Sequence, residues 1–376
     1  MKEIFRRQIE NAANQFLQVE LTAVLGYETY ARSTQNEDNK NYYNGSYERI
    51  IDTEYGEIHL TVPRDRLNQF KNALFPPYSR RTDGLEEMVI KMYSKGITTR
   101  EIAEMVEKMY GHHYSPTTVS NITKQTEILV EEFHKRQFQH SQYICVFLDA
   151  TYIPLRRGTV ARETVNIAIG IRSDGGKEVL DYSIAPTENG TAWSELLHGL
   201  RSRGIEEIQL FVADGMVGLQ SAIEANYPTA KFQRCWVHVE RNLLGYVRKA
   251  DRQEIIADFK KVRQAPNLGE AQKLLKELGD KWSSSYKKRI EGINEMSDLF
   301  TFFSFPPAIR QSIYSTNLIE SFNKSLKRKI RQKEQFPNEE SLDRFILTQV
   351  MNYNDKFEHR THRGFKNCRD TLDSMF

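Results

Sequence analysis

The chain has 376 residues, a length that predicts two or three domains. With 39% apolar and 27% charged residues it reads as an ordinary folded protein, which excludes the disordered and fibrous classes. Its net charge of +3, from 53 basic and 50 acidic side chains, excludes a global positive field, so any polyanion site must come from local clustering.

Lys2 to Leu25 carries Ile4, Phe5, Ile9, Phe16, Val19 and Leu25 at helical spacing and predicts a helix. The Asn-rich stretch from Ser33 to Ser46 predicts an exposed loop. Glu48 to Glu54 and Glu57 to Val62 flank Gly56 as a hairpin, with Pro63 as its stop. Residues 85–127 read as three short helices. The first presents Leu85, Met88, Val89, Met92 and Tyr93 and ends at Gly96. The second is capped by Thr98 or Thr99 and carries Ile102, Ala103 and Val106. The third is capped by Ser115, with Pro116 at its first position, where a missing N–H is no loss. It turns Thr117, Thr118, Ser120, Asn121 and Lys124 outward and leaves Val119 and Ile122 for packing. Short polar side chains on a helix start suit the major groove, so a DNA-reading helix-turn-helix is expected. A plain structural three-helix bundle is the alternative.

From Tyr143 the pattern turns α/β. YICVFLDA is an apolar run ending in Asp149, as expected of a central strand covered on both faces. Val165 to Ile171 and Lys177 to Ala185 supply a second and third strand. Thr191 opens a helix with Trp193, Leu196, Leu197 and Leu200, closed by Gly204. A fourth strand, IQLFVA, ends at Asp214, with a helix starting at Gly215, and a fifth runs from Lys231 to Trp236. A helical stretch over about 238–300 follows, then helices from about Thr316 to Gln332 and from Ser341 to Tyr353.

Right-handed crossover places the first and fourth strands side by side and parallel, which brings Asp149 and Asp214 together at their carboxyl ends. On the later helix Ile319, Phe322, Leu326 and Ile330 form an apolar stripe that docks on the sheet. Glu320, Lys324, Lys327 and Arg331 form a second stripe, so Glu320 faces the two aspartates and the cations extend away like a rail. Residues 320–333 hold six Lys or Arg, Arg328 among them, against the single Glu320. Two like charges about 4 Å apart cost roughly 4 kcal/mol at an effective dielectric of 20. Hard divalent cations remove that cost, and carboxylate oxygens select Mg²⁺ or Mn²⁺. Two such ions would serve an in-line phosphoryl displacement, with the rail holding the flanking phosphates. The bland alternative is a set of ordinary strand-end acids and a solvated helix face.

Seven stretches carry a family resemblance: YYNGSYERIIDTEYGEIHLTVPRDR, MYSKGITTREI, FLDATY, PTENGTAWSELLHGLRSRG, VADGMVGLQSAI, QRCWVHVERNLL and TNLIESFNKSLKRKIR. Running from about residue 42 to 332, they resemble the bacterial insertion-sequence transposases of the Mutator-like superfamily. The resemblance implies an RNase H-like core, a mixed five-stranded sheet whose DDE triad falls on Asp149, Asp214 and Glu320. It implies terminal inverted-repeat binding, Mg²⁺-dependent strand cleavage and strand transfer, with bacterial members working by copy-out and paste-in. The implied layout is an N-terminal helix and hairpin region at 1–82 for dimerisation or end binding, then a helix-turn-helix domain at 83–138. The core follows at 139–236, an all-helical insertion at 237–312, and the second core segment with the basic helix at 313–376.

Cys235 and His238 form the family's C-x-x-H element and are expected, with Arg241 and Asn323, to line the pocket and steady DNA. Two ligands are too few for a closed zinc site. Trp236, or Trp282 in the insertion, either stacks on an unpaired base or packs in the core. The expected partners are double-stranded DNA, as transposon ends and target, and a second copy of the chain, since synapsis joins two ends. No membrane and no small-molecule cofactor is expected: no apolar run approaches the roughly 18 residues of a span. No signal peptide is read in MKEIFRRQIE, and three scattered cysteines (Cys145, Cys235, Cys368) suit a reducing cytoplasm. A nuclease or resolvase without strand transfer, and a catalytically silent DNA-binding regulator, are the competing readings.

Overall fold

Residues 2–26, 41–53, 55–72, 83–110, 115–124, 126–157, 159–333 and 336–376 are described in the computed structural model. They fall into two units, Met1–Thr126 and Glu127–Phe376.

In the first unit, helix α1 (Lys2–Leu25) lies on a hairpin of β1 (Tyr43–Thr53) and β2 (Gly56–Asp65). Ala13 and Leu17 meet Ile51, Ile58, Leu60 and Val62, while Leu21 and Leu25 close on Phe70. Polar residues of α1 cover the free edge of β2. The Asn14 side chain accepts from the Thr61 N–H at 2.7 Å and donates to the His59 carbonyl at 3.0 Å, and Glu10 accepts from the His59 N–H at 2.9 Å. An edge blunted in this way cannot recruit a further strand. Two expectations need correction. Residues 43–46 of the predicted loop already belong to β1, whereas 33–40 lie outside the described residues, as do Glu54 and the Leu85 side chain. Pro63 does not stop β2 but pairs with Ser46 beside a register shift, because a two-stranded sheet offers edge positions where a missing N–H is harmless.

Helices α2 (Asp83–Ser94), α3 (Thr99–Tyr110) and α4 (Pro116–Lys124) follow as read, burying Val89, Tyr93, Ile102, Ala103, Val106, Val119 and Ile122. Thr98, not Thr99, caps α3: its hydroxyl accepts from the Glu101 N–H at 3.2 Å, and Glu101 returns a bond to the Thr98 N–H at 2.9 Å. Ser115 caps α4 by accepting from the Thr118 N–H at 3.0 Å. Helix α5 (Thr126–Lys135) lies, apart from Thr126, in the second unit, so the unit boundary falls inside the stretch assigned to the head.

The second unit is built on a five-stranded sheet in the order β5-β4-β3-β6-β7, with β3 Gln142–Arg157, β4 Thr159–Ile171, β5 Lys177–Ala185, β6 Glu207–Ala213 and β7 Lys231–Arg234. The pairs β3–β4 and β4–β5 are antiparallel, and β3–β6 and β6–β7 parallel, which makes the sheet mixed. Helices α6 (Gly190–Ser202) and α7 (Val217–Asn226) bury Trp193, Leu196, Leu197, Leu200, Leu219 and Ile223 against one face, on Val146, Leu148, Ala168 and Phe211. Asn189, rather than Thr191, caps α6 by accepting from the Ala192 N–H at 2.9 Å. After β7 come α8 (Trp236–Leu244), α9 (Arg252–Arg263), α10 (Leu268–Asn294), kinked at Tyr286, and α11 (Pro307–Ile313). Helices α12 (Asn317–Lys333) and α13 (Glu339–Phe357) return to β3 and its neighbours, and α14 (Arg369–Asp373) ends the chain's helices. Ile319, Phe322, Leu326 and Ile330 are all buried, as the stripe requires, which amounts to roughly 6–12 kcal/mol of gross burial at about 1.5–3 kcal/mol each.

The apolar run at Tyr143 extends further than read. β3 continues through Asp149 to Arg157, paired throughout with β4. Its parallel pairing with β6 stops at Phe147 opposite Val212. Asp149 therefore stands mid-strand, where its neighbour ends, instead of at a strand terminus. The fifth strand likewise stops at Arg234, and Trp236 opens α8. Among the described residues, no helix is long and apolar enough to cross a membrane.

Candidate active site

Asp149 projects from β3 two residues past the last rung shared with β6, and Asp214 follows the last residue of β6. The turn after Asp214 is held from two sides. The Asp214 carboxylate accepts from the Met216 N–H at 3.1 Å, and Arg234 donates to the Gly215 carbonyl at 3.0 Å while forking onto Asp298. Gly215 has φ 88°, and a Cβ there would collide with the Arg234 guanidinium, so the turn demands glycine. Across from it, Gly190 at the start of α6 lies against Gly218 of α7, where a Cβ would come within 3.0 Å of the Gly218 carbonyl oxygen. That close approach brings the loop carrying Glu188 beside the Asp214 turn.

Glu320 sits in the first turn of α12 and is 8% exposed. Its carboxylate is gripped by Arg241 of α8, with guanidinium nitrogens at 3.1 and 2.9 Å from the two oxygens. Thr316, one turn earlier, donates its hydroxyl to Glu320 at 3.3 Å, and His238 Nε2 stands 3.7 Å away. One turn later Asn323 donates its amide to Asp149 at 2.8 Å, tying α12 to β3. Asn323 is 5% exposed, and its buried amide oxygen has no hydrogen-bond partner among the described residues. Ligand atoms of Cys235, His238 and Glu320 lie within 4.8 Å of one another, a grouping that the two aspartates do not join among the described residues.

The charges sense each other nonetheless. Burial, and then the negative charges of Glu320 and Asp214, raise the Asp149 carboxyl above its ordinary value despite the Asn323 hydrogen bond. Burial would raise Glu320 too, but Arg241, His238 and Lys324 outweigh it and hold the carboxyl down. The neighbouring Cys235 thiol raises His238 to about 8 against its burial, with Asp149 and Glu320 adding to the effect. Burial pushes the Cys235 thiol up, yet the His238 imidazole and the Thr316 hydrogen bonds bring it below the usual range. Glu188 is a fourth acid in this field: burial and the charge of Asp214 raise it, while its bond from the Trp193 indole at 3.3 Å opposes.

The remaining residues singled out from sequence divide. Lys324, Lys327, Arg328 and Arg331 are exposed along α12, as the rail reading requires. Thr117, Asn121 and Lys124 are exposed on α4, whereas Thr118 and Ser120 are half-buried and the Thr118 hydroxyl bonds to Ser115 at 2.9 Å. Trp236 is a correction. It is fully buried and donates its indole N–H to the Leu299 carbonyl at 2.7 Å, so it lines no pocket. Trp282 is likewise core, donating to Asp258 at 3.2 Å. Cys235 is fully buried against Thr316, 3.2 Å from its hydroxyl, and supports the site from behind without touching its surface. Thr316 and Glu188 were not singled out. The signal for Thr316 was its place four residues before Glu320 on one helical face; Glu188 had none beyond its matched stretch.

A family model described as "Transposase, Mutator family" matches residues 1–360. The chain is 49% identical over 374 residues to the transposase for insertion sequence element IS905 of Lactococcus lactis subsp. lactis (strain IL1403), spanning 100% of this chain and 95% of that protein. It is also 49% identical over 354 residues to the transposase for IS1201 of Lactobacillus helveticus, spanning 94% of this chain and 95% of that one. Among solved structures, the Drosophila P element transposase strand transfer complex overlays with a TM-score of 0.32 at 10% identity, over 78% of this chain and 85% of that one, too loose a likeness to carry weight. On the family match and the two near-full-length relatives, the chain belongs to the Mutator family of transposases.

Proposed function

We propose that the second unit is an RNase H-like DDE core that cuts and joins DNA strands at the ends of an insertion sequence, with Asp149, Asp214 and Glu320 as its acids. The observation that carries the reading is the contact of α12 with β3: Asn323, one turn past Glu320, donates to Asp149 at 2.8 Å, and burial, with the charges of Glu320 and Asp214 behind it, raises the Asp149 carboxyl. A site of that kind favours a hard divalent cation, and the donor set fits one. Three carboxylates offer oxygen ligands, and the buried amide oxygen of Asn323, unpartnered among the described residues, is a further one. Magnesium or manganese, as a pair of ions, would supply Lewis acidity towards the attacking and leaving oxygens when bound.

The chain's own residues do the rest. Asn323 orients the Asp149 carboxylate through its amide. Arg241 bonds both Glu320 oxygens, and a backbone phosphate is an anion suited to draw that guanidinium away. His238, raised to about 8, carries its charge at neutral pH and offers a donor to the same phosphate. Lys324, Lys327, Arg328 and Arg331 extend the positive surface for flanking phosphates. The exposed side chains of α4 read the ends from the first unit as a helix-turn-helix, and two copies act together so that two ends can be joined. Copy-out and paste-in is the route the family resemblance favours.

The test incubates protein, end-labelled transposon-end duplex and target plasmid with Mg²⁺ or EDTA, alongside Asp149→Asn. Metal-dependent joined product that disappears in the variant supports the proposal. Cleavage without joining would reduce the protein to a nuclease, and a metal-independent shift alone would leave only a regulator.

A further inference from the structure

Two cavities in the helical segment after β7 run into one another. The larger, about 980 Å³, lies between β7, α10 and the segment around Phe300, and the smaller, about 540 Å³, between the end of α9 and α11. Pro266, Phe303 and Arg310 line both and form the wall they share. Lys231 and Lys276 line the first and Lys260 and Arg263 the second, yet no Asp or Glu lines either among the described residues. In a chain with 53 basic and 50 acidic side chains, that is a local separation of charge, and a cleft lined by one sign concentrates the opposite one. Arg310 stands at its centre. The guanidinium is half-buried and donates to the carbonyls of Phe305 at 2.8 Å and Phe303 at 2.9 Å, and no described carboxylate pairs with it. Burial lowers its pKa, as expected of a charge that nothing offsets. Arg263 has Glu240 at 3.4 Å, but Lys231, Lys260 and Lys276 make no ion pair among the described residues, and Lys231 reaches only the Ser304 hydroxyl, at 3.2 Å.

We propose that this cleft holds an unpaired stretch of DNA, with a phosphate on Arg310, a base against Phe300, and the lysines along the strand on either side. A single strand offers an anion and a flat apolar face at every nucleotide, and the cleft answers both. Its backbone-held guanidinium is aimed but not neutralised, which suits a phosphate oxygen. Phe300 is half-buried and braced from behind by Trp236, whose ring meets it edge-on with centroids 5.6 Å apart. Trp236 thus serves the base at one remove, as the support of the ring that touches it. Paired duplex hides the faces of its bases and has no use for that wall. The cleft also borders the proposed cutting site. Tyr314 lines the smaller cavity two residues before Thr316, whose hydroxyl bonds to Glu320 at 3.3 Å. The identity of the ligand rests on the DNA-cutting reading above; the anionic and aromatic character of the cleft does not.

The experiment follows the full chain in EDTA by fluorescence anisotropy with two probes, a short oligothymidylate and a blunt transposon-end duplex. Lys260 and Lys276 are exposed, so Lys260→Ala/Lys276→Ala should keep the far-UV spectrum and melting curve of the wild type. The double variant should bind oligothymidylate about tenfold more weakly, and its log–log salt slope should flatten by about 1.4, since each phosphate contact on a single strand contributes about 0.7. Its affinity for the duplex should stay within about twofold of wild type, because the α12 cations remain. An oligonucleotide carrying 5-iodouracil should photo-crosslink to the peptide that holds Phe300 and Phe303. Unchanged oligothymidylate binding, an equal loss on the duplex, or crosslinks confined to other segments would each overturn the proposal. Tighter binding of ATP than of oligothymidylate would overturn it as well, by making the cleft a free-nucleotide pocket. Cutting and joining in Mg²⁺ are read on the same preparations. A wild type that binds oligothymidylate here but never cuts defeats the catalytic reading alone. One that cuts and joins, with oligothymidylate binding unchanged in the double variant, defeats the cleft alone.

Discussion

Arg241→Met removes the guanidinium that holds both oxygens of Glu320 at 3.1 and 2.9 Å, while keeping an unbranched apolar stem in its place. A hydrogen bond to a charged group contributes about 1.5–3 kcal/mol when shielded. The Arg241 side chain is 52% exposed, so solvent screening cuts the two-bond grip to roughly 1–2 kcal/mol in total. A cation seeking Glu320 must displace that grip. Since about 1.4 kcal/mol is tenfold in affinity, the variant should bind Mn²⁺ about 5- to 30-fold more tightly than the parent in the absence of DNA. Its affinity for a transposon-end duplex should fall, because the same guanidinium is the one offered to phosphate. Calorimetric Mn²⁺ titration of DNA-free protein reads the first effect, with Glu320→Gln as the control in which the gain vanishes. Equal or weaker Mn²⁺ binding by Arg241→Met would refute the reasoning: either Glu320 is no metal ligand, or Arg241 does not compete for it.

Charge along α12 is tested by salt. Lys327→Ala and Arg331→Ala should weaken DNA binding and each flatten the log–log salt dependence by about 0.9, and an unchanged slope would make this face merely solvated. The other prediction concerns stability. His134 is half-buried between Asp181, 2.8 Å from Nδ1, and Asp343, 3.7 Å from Nε2; burial works against its charge, but the two carboxylates prevail and hold it at about 9. A folded-state value above the ordinary 6.5 means the stabilisation is complete below pH 6.5 and fades as pH rises through 9, a loss on the order of 2–3 kcal/mol. Urea midpoints at pH 6 and pH 9.5 should therefore diverge more in the parent than in His134→Gln; equal divergence would remove His134 as the cause.

Much of the second unit was legible because its signals are local. The apolar runs before Asp149 and Asp214 each marked a strand, as β3 and β6 show, although β3 runs on past Asp149 instead of ending there. The docking face of α12 was legible in the same way: four apolar residues at helical spacing, all buried, leave one direction for Glu320 beside them. Local reasoning left Trp236 open between a base and the core, and the expectation that Cys235 lines the pocket meets a thiol buried behind Thr316. A short apolar segment beside a strand end carries no mark of whether helices will close over it, and here the region around Leu299 and Phe300 does so.

What the sequence determined by itself was periodicity, caps and sign of charge: which residues form each helix or strand, which face is apolar, and where the cations gather. These depend on side chains a few positions apart, which interact whatever the rest of the chain does. Tertiary structure alone decided the partners. Arg241 grips Glu320 across 79 positions, and Asn323 reaches Asp149 across 174. Nor could periodicity foretell that β3 runs on to Arg157, because its later residues are held by β4 after β6 has ended. Such pairings arise from the docking of α8 and α12 around the sheet, where a shift of one helical turn would give every charge a different neighbour.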